Sequence, residues 1–367
     1  MKRILVVIDN LNSGGIASVA LNISEAMDKK KFIFDYITYQ QPNNNTLLRL
    51  EKMDSKYFVV NRLSDTSVLK YVNKIRLIIQ KNGPYDAIHA HISSFIWLAC
   101  LAAKIEKIPI RIGHAHGSKN TKKFIFSEFL YSFLRLLNRR YCTRMLTCAE
   151  ASGVYVFGKY FNFLPNFVDY QQYEIMSFEE KKKFRALYNI PENTKNYCFI
   201  GYLGGEKNPM FAMNLFRSIL KNNDDSYLLI AGDGPDNNKI KEFIEANHMT
   251  ENVIMFGNTT EVKKILQISH IMLMPSFSEG MSIAALEAQI LGVDCITSKG
   301  VPKTNDIQAG LFHQCETLDV IKWMEMVNCI LKKEQTISQK EIINSLVNIG
   351  YDKDSIARNL ETIYLNS

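Results

Sequence analysis

The stretch MPSFSEGMSIAALEAQILGVDCITS, residues 274–298, decides how the rest of the chain is read. Ile271, Met272, Leu273 and Met274 form a short apolar strand pattern that ends at Pro275. A polar turn with Glu279 and Gly280 follows, then a helical pattern carrying Glu287, then a second strand from about Cys295. At about 1.5 Å per helical residue, the two carboxylates stand on the order of 10 Å apart. The amides of Gly280, Met281 and Ser282 fall between them, at the positive end of the helix, where anions bind readily. The simpler reading makes Ser276 to Glu279 a capping box and Glu287 a solvated helix residue.

Composition bounds the possibilities. The chain has 367 residues, 47% of them hydrophobic, which suits two packed α/β domains. The longest apolar run, residues 95–103, is far short of the roughly 20 residues that span a bilayer. The N-terminus MKRILVVIDN enters a strand pattern at once and does not read as a signal peptide. Seven cysteines, scattered and without a CxxC, point to reduced thiols in a cytoplasmic protein and away from structural zinc. The net charge of +7 divides unevenly. Residues 1–168 hold 24 Lys and Arg against 11 Asp and Glu, a balance of +13, and residues 169–367 hold 20 against 26, a balance of −6. A basic N-terminal half suits an anionic partner: a membrane surface, a lipid pyrophosphate or nucleic acid.

Along the chain, KRILVVID reads as a buried parallel strand. Gly14-Gly15 then opens the helix IASVALNISEAM, either as a close backbone approach to a ligand or as an ordinary strand-to-helix turn. There is no GxGxxG, so a dinucleotide site is unsupported. Further strands are expected at FIFDYITY, KYFVVNRL, YDAIHAH and IPIRIGHAHG, alternating with helices. This alternation predicts a parallel sheet covered on both faces, with ligands beyond the carboxyl ends of the strands. His89, His91, His114 and His116 fall at such ends. Two HxH pairs on strands invite a metal reading, since imidazole is a common ligand. No carboxylate or cysteine completes the set, and no metal is expected. Residues 122–144 are basic, aromatic and amphipathic. They read either as a core-facing helix with a solvated face or as a membrane-interface segment with Lys122, Lys123, Arg135, Arg139 and Arg140 on the acceptor side. No recognition motif accompanies the charge, so nucleic acid is disfavoured.

The second half repeats the α/β pattern. Residues 170–195 read as a polar connection with a surface helix. NYCFIGYLGG is a strand and turn, and Asn208 and Pro209 read as the N-cap and first residue of the next helix. Lys207 sits just outside that helix start, where a lysine is either solvated or placed for phosphate. Strands at SYLLIAGDGP and VIMFG lead into the opening stretch, and VPKTNDI, residues 301–307, forms a loop after it. A nucleotide-sugar separates its hexose and ribose by a diphosphate over a distance like that between Glu279 and Glu287.

The EG turn and the helix carrying Glu287 resemble the E-x7-E motif of the retaining glycosyltransferases of family 4. CAEASGVYVFG and LPNFVD also resemble segments of that family, with Phe167 in place of the usual glycine. The resemblance covers nearly the whole chain, is strongest over residues 198–300, and is closest to bacterial transferases that assemble exopolysaccharide or capsule. It implies the GT-B fold, two Rossmann-like parallel-sheet domains facing across a cleft. The expected division is 1–170 for the acceptor side, 171–345 for nucleotide-sugar binding, and a helix over 346–367 returning to the first domain.

The same resemblance implies a metal-independent hexosyltransferase that uses a nucleotide-sugar, a UDP-sugar above others, with no cofactor. The acceptor would be a glycan or a lipid-pyrophosphate-linked glycan at the inner face of the plasma membrane. By this resemblance Glu279 contacts the hexose, Glu287 the ribose, and Lys207 with Asn208 and the amides near Gly14, Gly15, Gly280, Met281 and Ser282 the diphosphate. His116 faces the reacting sugar, with His114 as the alternative. Tyr202 stands where the family carries an arginine on the diphosphate, and tyrosine cannot supply bidentate contacts. That departure motivates a second reading, a non-catalytic relative that binds glycan or partners an active transferase.

Overall fold

The near-continuous apolar runs of the sequence become two parallel sheets, each buried on both faces because helices cross over between successive strands. The computed structural model describes residues 1–12, 14–92, 95–117, 125–222, 225–333 and 337–366. Two compact units divide them: Met1–Phe167 with Asp352–Ser367, and Val168–Tyr351. The division expected from sequence was 1–170, 171–345 and 346–367.

In the first unit the strands are β1 (Lys2–Val7), β2 (Phe32–Thr38), β3 (Tyr57–Val59), β4 (Ala87–Ala90), β5 (Ile110–Ala115), β6 (Arg144–Thr147) and β7 (Asn162–Phe163). The helices are α1 (Gly15–Ala26), α2 (Asn44–Lys52), α3 (Val68–Asn82), α4 (Ile96–Ile105), α5 (Ile125–Tyr141) and α6 (Glu150–Phe157). The strand order is β3-β2-β1-β4-β5-β6-β7, so the chain reverses its direction of travel between β1 and β4. One face of the sheet, with Leu5, Val7, Ile88 and Ala90, packs on Ile75, Ile79, Leu98 and Ala102 of α3 and α4. On the other side, the Tyr364 ring meets Phe32 and Phe34 at centroid distances of 5.8 and 5.9 Å. The residue expected to be a turn glycine, Phe167, is buried, and its carbonyl accepts from Asn22.

The second unit carries α7 (Phe178–Ala186), β8 (Lys195–Ile200), α8 (Pro209–Asn222), β9 (Ser226–Ala231), α9 (Asn237–Ala246), β10 (Val253–Gly257) and α10 (Val262–Gln267). It continues with β11 (Ile271–Met274), α11 (Ile283–Ile290), β12 (Asp294–Ser298), β13 (Phe312–Cys315), α12 (Val320–Leu331) and α13 (Gln339–Asn348). α14 (Lys353–Leu365) belongs to the first unit, where Lys31 and Glu361 pair at 2.6 Å. The second sheet runs β10-β9-β8-β11-β12-β13, with its reversal between β8 and β11. Alternation along the strands sends Tyr197, Phe199, Leu228, Ile230 and Leu273 toward Phe216 and Trp323. Cys198, Leu229, Met272 and Cys295 go to the opposite face, toward Phe184, Ile265 and Ala288.

Candidate active site

In an open parallel sheet the helices diverge where the strand order reverses, which leaves a crevice at the carboxyl ends of the flanking strands. In the second unit those strands are β8 and β11, and the loops that follow them carry Lys207 and Glu279. Three contacts bind the two loops together. The Lys207 ammonium lies 2.5 Å from Glu279 Oε1, the Phe277 amide donates to the Glu206 carbonyl at 2.7 Å, and Asn208 Nδ2 donates to the Pro275 carbonyl at 3.2 Å. Asn208 immediately precedes Pro209, the first residue of α8, as expected. It is left-handed, with φ 52°, and its side-chain Nδ2 adds a loop-to-loop tie across the crevice.

Glycines make this close approach possible. Gly232, with φ 144°, would place a Cβ 1.8 Å from the Gly201 carbonyl oxygen, and a Cβ on Gly300 would lie 2.4 Å from the carbonyls of Ser276 and Phe277. Neither backbone leaves room for a side chain.

Glu279 is fixed from three sides. Besides Lys207, Ser276 Oγ donates to its Oε1 at 2.7 Å, and its amide donates to the Gly300 carbonyl at 2.9 Å. The Ser276–Glu279 pairing anticipated as a capping box exists as a side-chain bond, but it does not start the helix. The N-cap of α11 is Ser282, whose hydroxyl accepts from the Ala285 amide. The Ser282 amide itself donates to Asn305 Oδ1 at 2.6 Å, and Asn305 Nδ2 donates to the Gly280 carbonyl at 3.0 Å. Gln289 in turn donates to the Asn305 carbonyl at 2.7 Å. The loop 301–307 thus braces the EG turn, and the Ser282 amide already has an acceptor.

Glu287 faces Tyr173, whose hydroxyl donates to its Oε1 at 2.7 Å. Burial pushes the Glu287 carboxyl above its ordinary range, while the bond from Tyr173 and the nearby Lys263 charge pull it back. The Lys263 ammonium rests 4.0 Å above the Tyr173 ring. Tyr173 escaped the sequence reading because it sits in the stretch taken as a polar connection, with no motif around it. Asn305 and Gln289 escaped for a similar reason: amide side chains carry no periodic signal, and their partners are distant in sequence. Tyr202, at the expected arginine position, is 58% exposed.

The first unit holds the other sequence candidates. Gly14 precedes α1 with φ 94° and has none of the described residues within 4 Å of where a Cβ would stand; Gly15 is the first helical residue. The four histidines form one buried cluster. His91 Nδ1 and His116 Nε2 are 2.7 Å apart, and His89 Nε2 and His114 Nδ1 are 3.3 Å apart. His89 Nδ1 also lies 2.7 Å from the Tyr364 hydroxyl. Burial pushes His89 and His116 down to about 3, so the imidazoles are neutral at physiological pH. The His116 ring nitrogens face protein: Nε2 meets His91, and Asn166 lies beside the ring.

At the reversal between β1 and β4, a cavity of about 490 Å³ is lined by Asp9, Tyr39, Arg62, Tyr71 and Phe95 among others. Burial raises the Asp9 carboxyl and the Arg62 charge opposes this. Lys122 and Lys123 lie outside the described residues. Arg135 and Arg139 donate to the Tyr155 and Phe157 carbonyls at 3.0 and 2.7 Å, and so cap the end of α6. Arg140 is exposed, as are Phe129, Leu130, Phe133 and Leu136 of the same helix.

Two family models match this chain. One, described as Glycosyltransferase Family 4, matches residues 13–161, and the other, Glycosyl transferases group 1, matches residues 180–311. The chain belongs to the family 4, group 1 glycosyltransferases. EpsF of Bacillus subtilis, which its name places among glycosyltransferases, is 25% identical over 99% of this chain and 96% of its own. An Escherichia coli enzyme named UDP-Gal:alpha-D-GlcNAc-diphosphoundecaprenol alpha-1,3-galactosyltransferase is 25% identical over 77% of this chain and 76% of its own. The crystal structure of Anabaena HepE with UDP-glucose shares the fold at a TM-score of 0.80 over the whole of both chains, at 14% identity. The architecture of this glycosyltransferase is GT-B.

Proposed function

We propose that this glycosyltransferase moves a hexose from a UDP-sugar to a glycan or lipid-pyrophosphate acceptor, with retention of configuration, in the assembly of a cell-surface polysaccharide. The observation that carries the reading is the Lys207–Glu279 pair at the switch point of the second sheet, with Glu287 one helix segment away. A donor diphosphate would take over the Lys207 ammonium, and Glu279, released from it, would accept from hexose hydroxyls. Glu287 would exchange its bond from Tyr173 for the ribose hydroxyls. Lys207 and the helix start then stabilise charge on the departing diphosphate. The reading uses no metal or cofactor in the transfer.

In the first unit, Gly14 and Gly15, at the start of α1, are the substrate-facing candidates, and His116, buried in the histidine cluster, would turn a ring nitrogen out of it to meet the reacting sugar. The cavity with Arg62, Asp9 and aromatic walls suits a sugar phosphate, the cation for phosphate and the rings for the apolar face of a pyranose. Relatives support the choice of partners. The E. coli galactosyltransferase is named for a UDP-sugar and a diphosphoundecaprenol acceptor, and HepE was crystallised with UDP-glucose. Peripheral contact with an anionic membrane is supported by Phe129, Phe133 and Leu136, exposed on α5 beside Arg140.

The test is UDP release from a panel of UDP-hexoses, with and without lipid-pyrophosphate acceptors. Turnover that Glu279→Gln abolishes supports the enzyme. No binding of any nucleotide-sugar by calorimetry would overturn it in favour of a non-catalytic role.

A further inference from the structure

Three members of the histidine cluster in the first unit, His89, His91 and His114, are not used in the proposed transfer. One ring nitrogen from each of His89, His91 and His114 lies within 4.8 Å of the other two, and every ring is buried. The rings are also closely layered: centroids of His89 and His91 are 4.3 Å apart, and those of His114 and His116 are 4.1 Å apart. The simplest occupant of such a cluster is hydrogen bonds alone, and the geometry supplies too few of them. His114 Nε2 is buried with no hydrogen-bond partner among the described residues, and the His89–His114 contact, at 3.3 Å, is long for one.

We propose that His89, His91 and His114 bind a transition-metal ion of the zinc class. Zinc–imidazole bonds of about 2.0–2.1 Å at a tetrahedral angle separate two ligand nitrogens by about 3.3–3.4 Å. His89 Nε2 and His114 Nδ1 stand at that separation before any rearrangement. Two of the three remaining nitrogens are engaged as outer ligand contacts should be, and the third is His114 Nε2. His89 Nδ1 lies 2.7 Å from the Tyr364 hydroxyl, and His91 Nδ1 lies 2.7 Å from His116 Nε2, which leaves His91 Nε2 to turn to the ion. Three neutral imidazoles with no thiolate or carboxylate select zinc, copper or nickel over magnesium and calcium.

The ion would join β4 to β5, and through the Tyr364 hydroxyl it would brace α14 against the sheet. Its role is structural, so it does not alter the transfer chemistry proposed above.

The experiment is metal loading of the full chain. Chelator-stripped protein is dialysed against zinc or cobalt, passed through gel filtration and analysed for bound metal. One equivalent per chain is expected, with cobalt absorption of a tetrahedral imidazole site free of thiolate charge transfer. The double variant His89→Phe/His114→Phe should lose this equivalent, Tyr364→Phe should weaken it about tenfold, and Cys329→Ser should keep it. Zinc should raise the melting temperature of the wild type and not that of the double variant. If that variant fails to fold, X-ray absorption of the zinc-loaded wild type decides. A shell of three or more nitrogens near 2.0 Å supports the site. A sulfur shell, or no zinc retained after gel filtration, overturns it.

Discussion

The Lys207 ammonium and the Glu279 carboxylate meet at 2.5 Å across the point where the strand order of the second sheet reverses. Each charge holds the other in a crevice of positive helix ends and close-packed backbone. On the proposed function a donor diphosphate would compete for the lysine, and the pair would work as a latch that substrate opens. Lys207→Met should lower kcat/KM by about 10²-fold, about 2.7 kcal/mol, in the range found for removing one preorganised donor. Steady-state kinetics with a UDP-hexose measures this, and an unchanged kcat/KM would remove Lys207 from the site.

Glu287 gives a pH signature. Its folded-state pKa lies above the ordinary value of 4.5, chiefly through burial. The folded chain therefore holds this proton more tightly than the unfolded chain. The stability it contributes is complete below about pH 4.5 and is lost as the pH rises through the folded pKa. Glu287→Gln removes the titration, so the melting temperature of the variant should gain on that of the wild type from pH 4.5 upward. Tyr173→Phe, which deletes the bond that pulls this pKa down, should shift the window to higher pH. Melts at stepped pH check both; a constant offset would contradict the assignment.

The arginines of α5 should separate by function. Arg135→Ala and Arg139→Ala each remove a bond to the α6 carbonyls and should cost about 1 kcal/mol of stability. Arg140→Glu should leave the melting temperature unchanged and weaken binding to anionic vesicles, as should Phe129→Ser with Phe133→Ser. Vesicle sedimentation beside thermal melts reads the difference. If Arg140→Glu binds vesicles as the wild type does, that stripe is not the contact.

Gly232→Ala tests the packing beneath the crevice. The added Cβ would lie 1.8 Å from a backbone oxygen, at a φ of 144° that L-residues avoid. Displaced backbone there should cost about 3 kcal/mol, against about 1 kcal/mol for an unstrained surface change. Urea denaturation gives the value.

Much of this was legible in the residues themselves. Apolar runs such as KRILVV and SYLLIA specify buried parallel strands, because only a sheet covered on both faces hides them. The EG turn after Met274 marks the glutamates in the same way, since strand, turn and helix are local and leave local patterns. His89, His91, His114 and His116 show their i, i+2 spacing, but not that the two pairs stack. That follows from the β4–β5 register, which sets His89 opposite Ile112 and Ala90 opposite Gly113.

Tyr173 on Glu287, Asn305 on the Ser282 amide and Asn208 on the Pro275 carbonyl were beyond reach for the same reason. Such bonds join residues tens of positions apart, and no periodicity encodes them. Arg135 and Arg139 make the point most plainly: a basic amphipathic stripe looks the same in sequence whether its cations meet lipid or cap a neighbouring helix. Local hydrophobic pattern determined the elements and where the strands end. Which polar side chains are satisfied by which partners was decided only when distant loops were brought together, because a hydrogen bond depends on position in space.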